Sequence, residues 1–468
     1  MNRPMTKERD NPVGRSGQSN LPSRQGLYIH VPFCTSKCPY CDFNSVPVSG
    51  PTAHPFDSFE ESRYIDCLMA ELDSRLKSLG RTTFNPATLY FGGGTPSLLS
   101  AESVARFISH VNKVRGKGGG SSSSLSIEEI TLEANPESVL QGPVSNDKAV
   151  SKDKLRGYLD AGVNRLSIGV QSFSDAELKL LGRPHSVEEA VTAYEAARAA
   201  GFENIGIDLI FGLPGRTVES WRESLKRAVE LRPEHISLYG LTIEEGTPFY
   251  ARYSGESVEG PSGSSSLGSS SLREAGGTPK DGTINDGGTI TDETYVALYS
   301  VAIEVITGAG YDHYEVSNFA LPGRRSLHNS SYWSGAEYLG LGAGAHSLVY
   351  SSELGKGVRE WGTRSWNISG VSEYEVAVER TGVATEGSEE LTGESAALEA
   401  AMLGLRRLDI GIVAIGFKER FGALPVDFFA GAIDLIEHGL LYKGGEGGED
   451  LLLTPKGVTL SDTVIARL

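Results

Sequence analysis

The sequence predicts an α/β fold: a partial (β/α)6 barrel followed by a small C-terminal helical, winged-helix-like domain. Three observations predict it. Between residues 27 and 241, six short β-rich runs alternate with amphipathic stretches. Polar residues gather at the ends of those runs. Near residue 370 the texture changes to helical patterns that close on a glycine-rich hairpin.

The candidate strands are Leu27–Val31, Ala87–Phe91, Ile127–Glu133, Arg165–Val170, Ile205–Ile210 and His235–Leu241. Between them Tyr64–Leu79, Glu102–Val114, Lys152–Ala161, Val187–Ala200 and Val218–Leu231 carry apolar residues at three- and four-residue spacing, the period of an amphipathic helix. Such alternation implies a parallel sheet wrapped by helices, with the ligand site at the C-terminal ends of the strands. Residues 1–23 are polar and mildly basic and read as a disordered tail. Residues 24–365 form the barrel and its extension, interrupted by Gly116–Ser124, by 141–151 and by a Gly/Ser-rich stretch at 253–290 expected to be disordered. Helix resumes at Asp292–Thr307. In the C-terminal domain, 366–468, helical patterns at 394–408 and 426–438 precede a small β-hairpin. That domain either braces the barrel or meets a partner.

The 468 residues carry 60 acidic and 43 basic side chains, a formal charge of −17. This balance argues against a large nucleic-acid footprint, which relies on clustered Lys and Arg. No apolar run of about 18 residues exists, so no membrane span is expected. Of four cysteines, Cys34, Cys38 and Cys41 fall within eight residues and Cys67 stands apart in a helical pattern. Clustering without an export signal suits metal binding in a reducing compartment, and hence a cytoplasmic location.

Cys34, Cys38 and Cys41 form C-x3-C-x2-C directly after the first strand. Three thiolates from one tight loop hold three irons of a [4Fe–4S] cluster and leave the fourth open to a small ligand. A structural zinc site wants a fourth ligand at close spacing, and none is present. Cys67 reads as a core thiol. Phe33, Tyr40 and Phe43 would shield the cluster from water. On the strand, Tyr28, His30 and Pro32 point to one side.

YFGGGTPSLL follows the second strand, and Gly92, Gly93 and Gly94 allow a sharp turn with close backbone approach to a ligand. Glu133 and Gln171 end strands three and four, Asp208 lies in strand five, and Arg183 sits in LGRPHS. Charges at buried strand ends are costly unless paired. A structural pair such as Glu133 with Arg183 is one reading. Convergence on one rim favours binding of S-adenosylmethionine (SAM): Glu133 to the amine or ribose, Arg183 to the carboxylate, Asp208 and Gln171 to the ribose or its neighbours.

Taken together, C-x3-C-x2-C, YFGGGTPS, NRLSIGVQSF, LGRPH, IDLIFGLPGRT and LYGLTIEEGTPF resemble the oxygen-independent coproporphyrinogen III oxidase-like branch of the radical SAM superfamily. The resemblance runs from about residue 26 to the C-terminus apart from the insertions. It implies a radical SAM barrel, cluster ligands at Cys34, Cys38 and Cys41, and SAM contacts at Tyr28, Tyr40, Gly93, Gly94, Thr95, Glu133, Gln171, Arg183 and Asp208, with a further one near Thr242. The coproporphyrinogen dehydrogenases of this branch carry a fourth Cys where this chain has Phe43, and a longer N-terminal arm. CPYCDFNS, LHNSSYW (327–333) and GLGAGAHS (340–347) instead resemble the haem chaperone subgroup, HemW. That subgroup implies haem as cargo and haem-accepting proteins as partners, with no nucleic acid; a homodimer is compatible with it. Oxidative decarboxylation of porphyrinogen propionates is the alternative activity, and whether SAM is cleaved stays open.

Haem iron needs an axial donor, most often His, and the propionates need cations or N–H groups. His328, beside Tyr332 and Trp333, and His346, after a glycine-rich turn, are the candidates; His313 is a third. Arg324 and Arg325 could meet propionates. The alternative for HNSSYW is a hydrogen-bonded corner packed on the barrel.

Overall fold

Residues alternate between the two faces of a strand, and in this chain the two sets differ in chemistry. A computed structural model describes residues 25–48, 58–81, 84–115, 126–140, 152–253, 290–350 and 362–468. The expected tail and the insertions at 116–124, 141–151 and 254–289 lie outside the described residues. Strands β1 (Gly26–Val31), β2 (Thr88–Gly93), β3 (Glu129–Ala134), β4 (Arg165–Gln171), β5 (Ile205–Phe211) and β6 (His235–Gly240) lie side by side in that order, all parallel. One face buries Leu27, Leu89, Phe91, Leu132, Leu166 and Leu209 against helices α1 (Ser58–Ser78), α2 (Ala101–Arg115), α3 (Lys152–Ala161), α4 (Val187–Ala200) and α5 (Val218–Glu230). The Phe91–Phe107 edge contact, at 5.9 Å, is one such strand–helix junction. The opposite, concave face carries Tyr28, Tyr90, Glu133, Ser167 and Asp208.

Local signals set the helix ends. Ser186 caps α4 and Glu189 reaches back to it, and Thr217 with Ser220 does the same for α5; each reciprocal pair satisfies two N–H groups that the first turn leaves open. At the far end of α4, Gly201 takes φ 111°, the left-handed stop that only glycine adopts without strain.

The sheet continues beyond the six strands. On one edge β6 pairs antiparallel with Asn318–Ala320, which pairs with Asp312–Glu315; in chain order these are β8 and β7. On the other edge β9 (Tyr338–Leu341) lies parallel to β1, followed by antiparallel β10 (His346–Tyr350), β11 (Gly362–Asn367) and β12 (Thr385–Glu390). Among the described residues the result is one open sheet of twelve strands. The domain boundary expected at residue 366 therefore falls inside β11. Pairing of β11 with β10 and β12 carries the sheet on to Glu390, because ladder bonds, not local composition, decide where a sheet ends.

Beyond Glu390 come helices, beginning with Gly393–Arg406, and the hairpin Leu441–Gly444 with Asp450–Leu453. The helix expected over 426–438 is two short ones, Pro425–Phe428 and Ala432–Glu437. Gly431 separates them in close contact with the chain end: a Cβ there would lie 1.8 Å from the Arg467 carbonyl. Arg406 joins this part to the barrel. It forms an ion pair with fully buried Glu315 at 2.5 Å, donates to Ser317 at 3.1 Å, and lies over the Trp333 ring. Bracing is thus what these contacts do.

Candidate cofactor site at the C-terminal ends of the strands

β1 delivers the chain to the cysteine loop. Pro32 and Cys34 accept hydrogen bonds from Val46 and Val48, at 2.7 and 2.8 Å, which close the loop on itself. Within it Cys41 N donates to the Cys38 carbonyl at 3.1 Å. All three thiols are free and partly exposed, whereas Cys67 is free and buried in the core, as expected of a packing thiol. Burial raises the thiol pKa of Cys34 against the hydrogen bond from Thr95, and raises that of Cys41 against a backbone bond from Phe43.

The glycine turn after β2 closes on this loop. Gly94 N donates to Val31 O and Thr95 N to Phe33 O, at 2.8 and 2.7 Å. A Cβ on Gly94 would lie 2.7 Å from Phe33 O, so the two backbones meet only because the side chain is missing. Gly93, at φ 108°, lies against the His30 ring and donates its N–H to Glu133 at 3.1 Å.

Glu133 also accepts from the Tyr90 hydroxyl at 2.6 Å. Protein packed around it pushes its carboxyl up to about 7; the Tyr90 bond opposes the rise and Asp208 adds to it. Asp208 accepts from Ser167 at 3.1 Å, and burial raises its pKa against hydrogen bonding from Ser237 and the charge of Arg165. Tyr28 stacks on Tyr90 at 6.2 Å and its hydroxyl lies 3.0 Å from His30 Nδ1, confirming that both face one way. Two acids and a tyrosine pair thus share one concave wall.

Arg183 does not pair with Glu133. Its Nη2 donates to Asn135 Oδ1 at 2.6 Å and its Nη1 to Cys38 Sγ at 3.5 Å. Burial opposes its charge, but Glu137, Tyr40 and Cys38 together hold its pKa above the ordinary value. Gln171 adopts φ 64° at a bulge ending β4, which aims its side chain at Gly169, where a Cβ would lie 2.7 Å from Gln171 Nε2. Tyr40 packs against Leu181, Ile210 and Leu213 and meets Phe249 edge-on at 6.1 Å. Thr242 follows β6 and is exposed. Sequence reasoning missed Asn135, Tyr90 and Ser167. The alternation along β2 and β4 could have signalled Tyr90 and Ser167, since both share the concave face with Glu133 and Asp208.

The donors fit the implied groups. Three free thiols on one loop match three cluster corners, and among the described residues no three His, Cys, Asp or Glu side chains converge as ligands of a single ion. Arg183 Nε is buried without a hydrogen-bond partner, a cationic donor suited to a carboxylate.

Other expectations need correction. Phe43 is 61% exposed and does not supply the expected shield. His328 is buried with both ring nitrogens engaged, by Thr88 Oγ1 at 2.8 Å and the Tyr332 hydroxyl at 2.9 Å. It stacks on Tyr90 at 4.9 Å, and burial lowers its pKa to about 3. It closes the N-terminal end of the barrel, beside Gly26 and Thr88, as a satisfied core histidine. His313 is engaged by Val316 O and Tyr299 and stacked on Phe319. Arg324 and Arg325 follow Ala320, which pairs with the first residue of β6, so they lie at the end away from the cysteine loop; Arg325 bonds Asp409. His346 is different. It is exposed, lies 6.1 Å from the Trp366 ring, and follows a turn whose Gly342 and Gly344 abut His30 and Asn44, at the cysteine-loop end.

An open parallel barrel with three cysteines after β1 and a glycine turn after β2 defines a radical SAM protein, and the Radical SAM superfamily model matches residues 28–228. The heme chaperone HemW of Bacillus subtilis is 31% identical over 441 residues, 94% of this chain and 98% of that protein. The heme chaperone HemW of Escherichia coli is 36% identical over 324 residues, 69% of this chain and 70% of that one. The chain belongs to the HemW family of radical SAM proteins. The solved coproporphyrinogen III oxidase (HemN) of Escherichia coli, a radical SAM enzyme, shares the fold with TM-score 0.67 at 22% identity, over 96% of this chain and 90% of that one. No helix among the described residues is long and apolar enough to cross a membrane.

Proposed function

We propose that this chain is a haem chaperone built on a radical SAM core, which takes haem as cargo and passes it to haem-requiring proteins. The observation that carries the reading is the relationship to a named heme chaperone over nearly the whole of both chains. Cys34, Cys38 and Cys41 would hold the cluster. Tyr28, Tyr40, Gly93, Gly94, Thr95, Glu133, Gln171, Arg183 and Asp208 would surround SAM. When bound, the cluster supplies single electrons at low potential to the neighbouring sulfonium. The chain's own residues would orient and enclose SAM: Arg183 would meet the carboxylate, Glu133 and Asp208 the polar end, and Tyr40 with its apolar neighbours would exclude water.

Of the two leading histidines, His346 suits the axial position, since its ring is open, and partial desolvation with the nearby charge of Arg364 lowers its pKa against Glu389, which favours the neutral ring that metal binding needs. A cytoplasmic setting and a homodimer accompany the reading as proposals. The test is anaerobic reconstitution with iron and sulfide, then haem titration and a coproporphyrinogen III assay on the same sample. Saturable haem binding without vinyl product is expected. Vinyl product with CO2 release would overturn the chaperone assignment in favour of oxidative decarboxylation.

A further inference from the structure

Thr95 Oγ1 lies 3.6 Å from Cys34 Sγ, and Arg183 Nη1 lies 3.5 Å from Cys38 Sγ. One side chain joins these two contacts. Asn135 Oδ1 accepts from Arg183 Nη2 at 2.6 Å, and Asn135 Nδ2 donates to Thr95 Oγ1 at 2.9 Å.

The direction of every bond in this chain follows from chemistry. A guanidinium has donors only, so the Asn135 oxygen must face Arg183 and its NH2 must face Thr95. Thr95 Oγ1 then accepts from Asn135, and its single O–H is left to point at the sulfur. The same contact to Asn135 fixes the guanidinium plane and sets Nη1 against Cys38. Asn135 is itself held: its N–H donates to Ser138 Oγ at 3.2 Å, and its carbonyl accepts from Ser138 N and Val139 N at 3.0 and 3.1 Å. Gly169 leaves room for it, since a Cβ there would lie 2.9 Å from Asn135 Oδ1.

We propose that Asn135 is a positioning residue that aims hydrogen bonds at two of the three cluster thiolates and thereby sets the cluster's reduction potential. The proposal rests on the assignment of Cys34, Cys38 and Cys41 as cluster ligands. Adding one electron to the cluster places negative charge partly on the thiolates. Donors aimed at the sulfurs stabilise that charge and raise the potential. Without Asn135 the Thr95 hydroxyl and the Arg183 fork are free to turn away.

The test is a dithionite titration followed by electron paramagnetic resonance on the reconstituted full chain, with iron and sulfide counted in each sample. Asn135→Ala is expected to lower the one-electron reduction equilibrium constant about tenfold, about 59 mV. Thr95→Val should lower it in the same direction, and Thr95→Ser should restore it. Should Asn135→Ala load poorly, Asn135→Asp keeps the shape. Its carboxylate still accepts from Arg183 but draws the Thr95 hydroxyl off Cys34, so the potential falls.

In a Thr95→Val background that fall should shrink. An equal fall there would assign the effect to added charge and overturn the positioning role. A loaded Asn135→Ala protein with a potential within twofold of wild type in equilibrium constant would also overturn it. A wild-type chain that takes up no cluster would instead overturn the ligand assignment beneath it.

Discussion

Glu133 is an acid whose folded environment favours its proton, with Tyr90 and Arg165 on the adjoining strands and Asp208 one strand further on within electrostatic reach. Its carboxyl rises from 4.5 to about 7. Below the lower value both folded and unfolded chains hold the proton, and nothing is lost. Between the two the unfolded chain releases its proton first, so stability falls as pH rises; above about 7 the loss is complete, about 3 kcal/mol. Urea unfolding of the cluster-free chain at pH 5 and 7.5 checks this. Glu133→Gln should remove most of the difference between the two pH values. Histidines give a second residue-scale contrast. His346→Ala should weaken haem binding about tenfold or more, about 1.4 kcal/mol, in an optical titration. His328→Ala should leave that affinity alone and destabilise the fold by about 2–3 kcal/mol, through lost packing and two orphaned partners.

At the scale of elements, the short helix Leu327–Trp333 depends on another strand for its start. Glu129, the first residue of β3, accepts from His328 N at 2.9 Å and Leu327 N at 3.0 Å, while Ser326 caps Asn329 N at 3.3 Å. A carboxylate at a helix N-terminus satisfies open N–H groups. Buried Arg165 lies within electrostatic reach of it. Glu129→Ala should therefore cost about 3–5 kcal/mol, leaving buried N–H groups and a guanidinium uncompensated. Thermal unfolding would read the loss, and SAM affinity of the surviving folded fraction should not change.

Over the whole molecule, buried carboxylates tie distant parts of the chain together. Glu71 on α1 accepts from Gly342 N at 3.0 Å, Asn367 Nδ2 at 2.7 Å and the Tyr374 hydroxyl at 2.7 Å, which links the first helix to the turn before His346 and to the sheet edge. Glu315 binds Asn318 and Ser317 and is neutralised from the C-terminal part by Arg406. Arg406→Ala should cost about 3–5 kcal/mol, because it leaves an unpaired charge inside the protein. Denaturant unfolding by fluorescence would measure it. A change below 1 kcal/mol would show that the C-terminal part does not brace the barrel through this pair.

Much of the fold is legible in the sequence because it is periodic and local. The six strands β1–β6 and the long helices between them follow from alternation, three- and four-residue spacing and capping residues such as Ser186 and Thr217. The cysteine spacing and the glycine turn are local as well, since each is one short loop. What tertiary structure alone decided is partnership across the sheet. Nothing in LHNSSYW says that Thr88 and Tyr90 will enclose His328, or that His346 will remain open beside Trp366. Nothing near Asn135 announces Arg183, 48 residues on in the chain. The extent of the sheet to Glu390 is of the same kind. Chemical type and period are written residue by residue; burial, hydrogen-bond partners and shifted ionisation arise only when strands far apart in sequence share one wall.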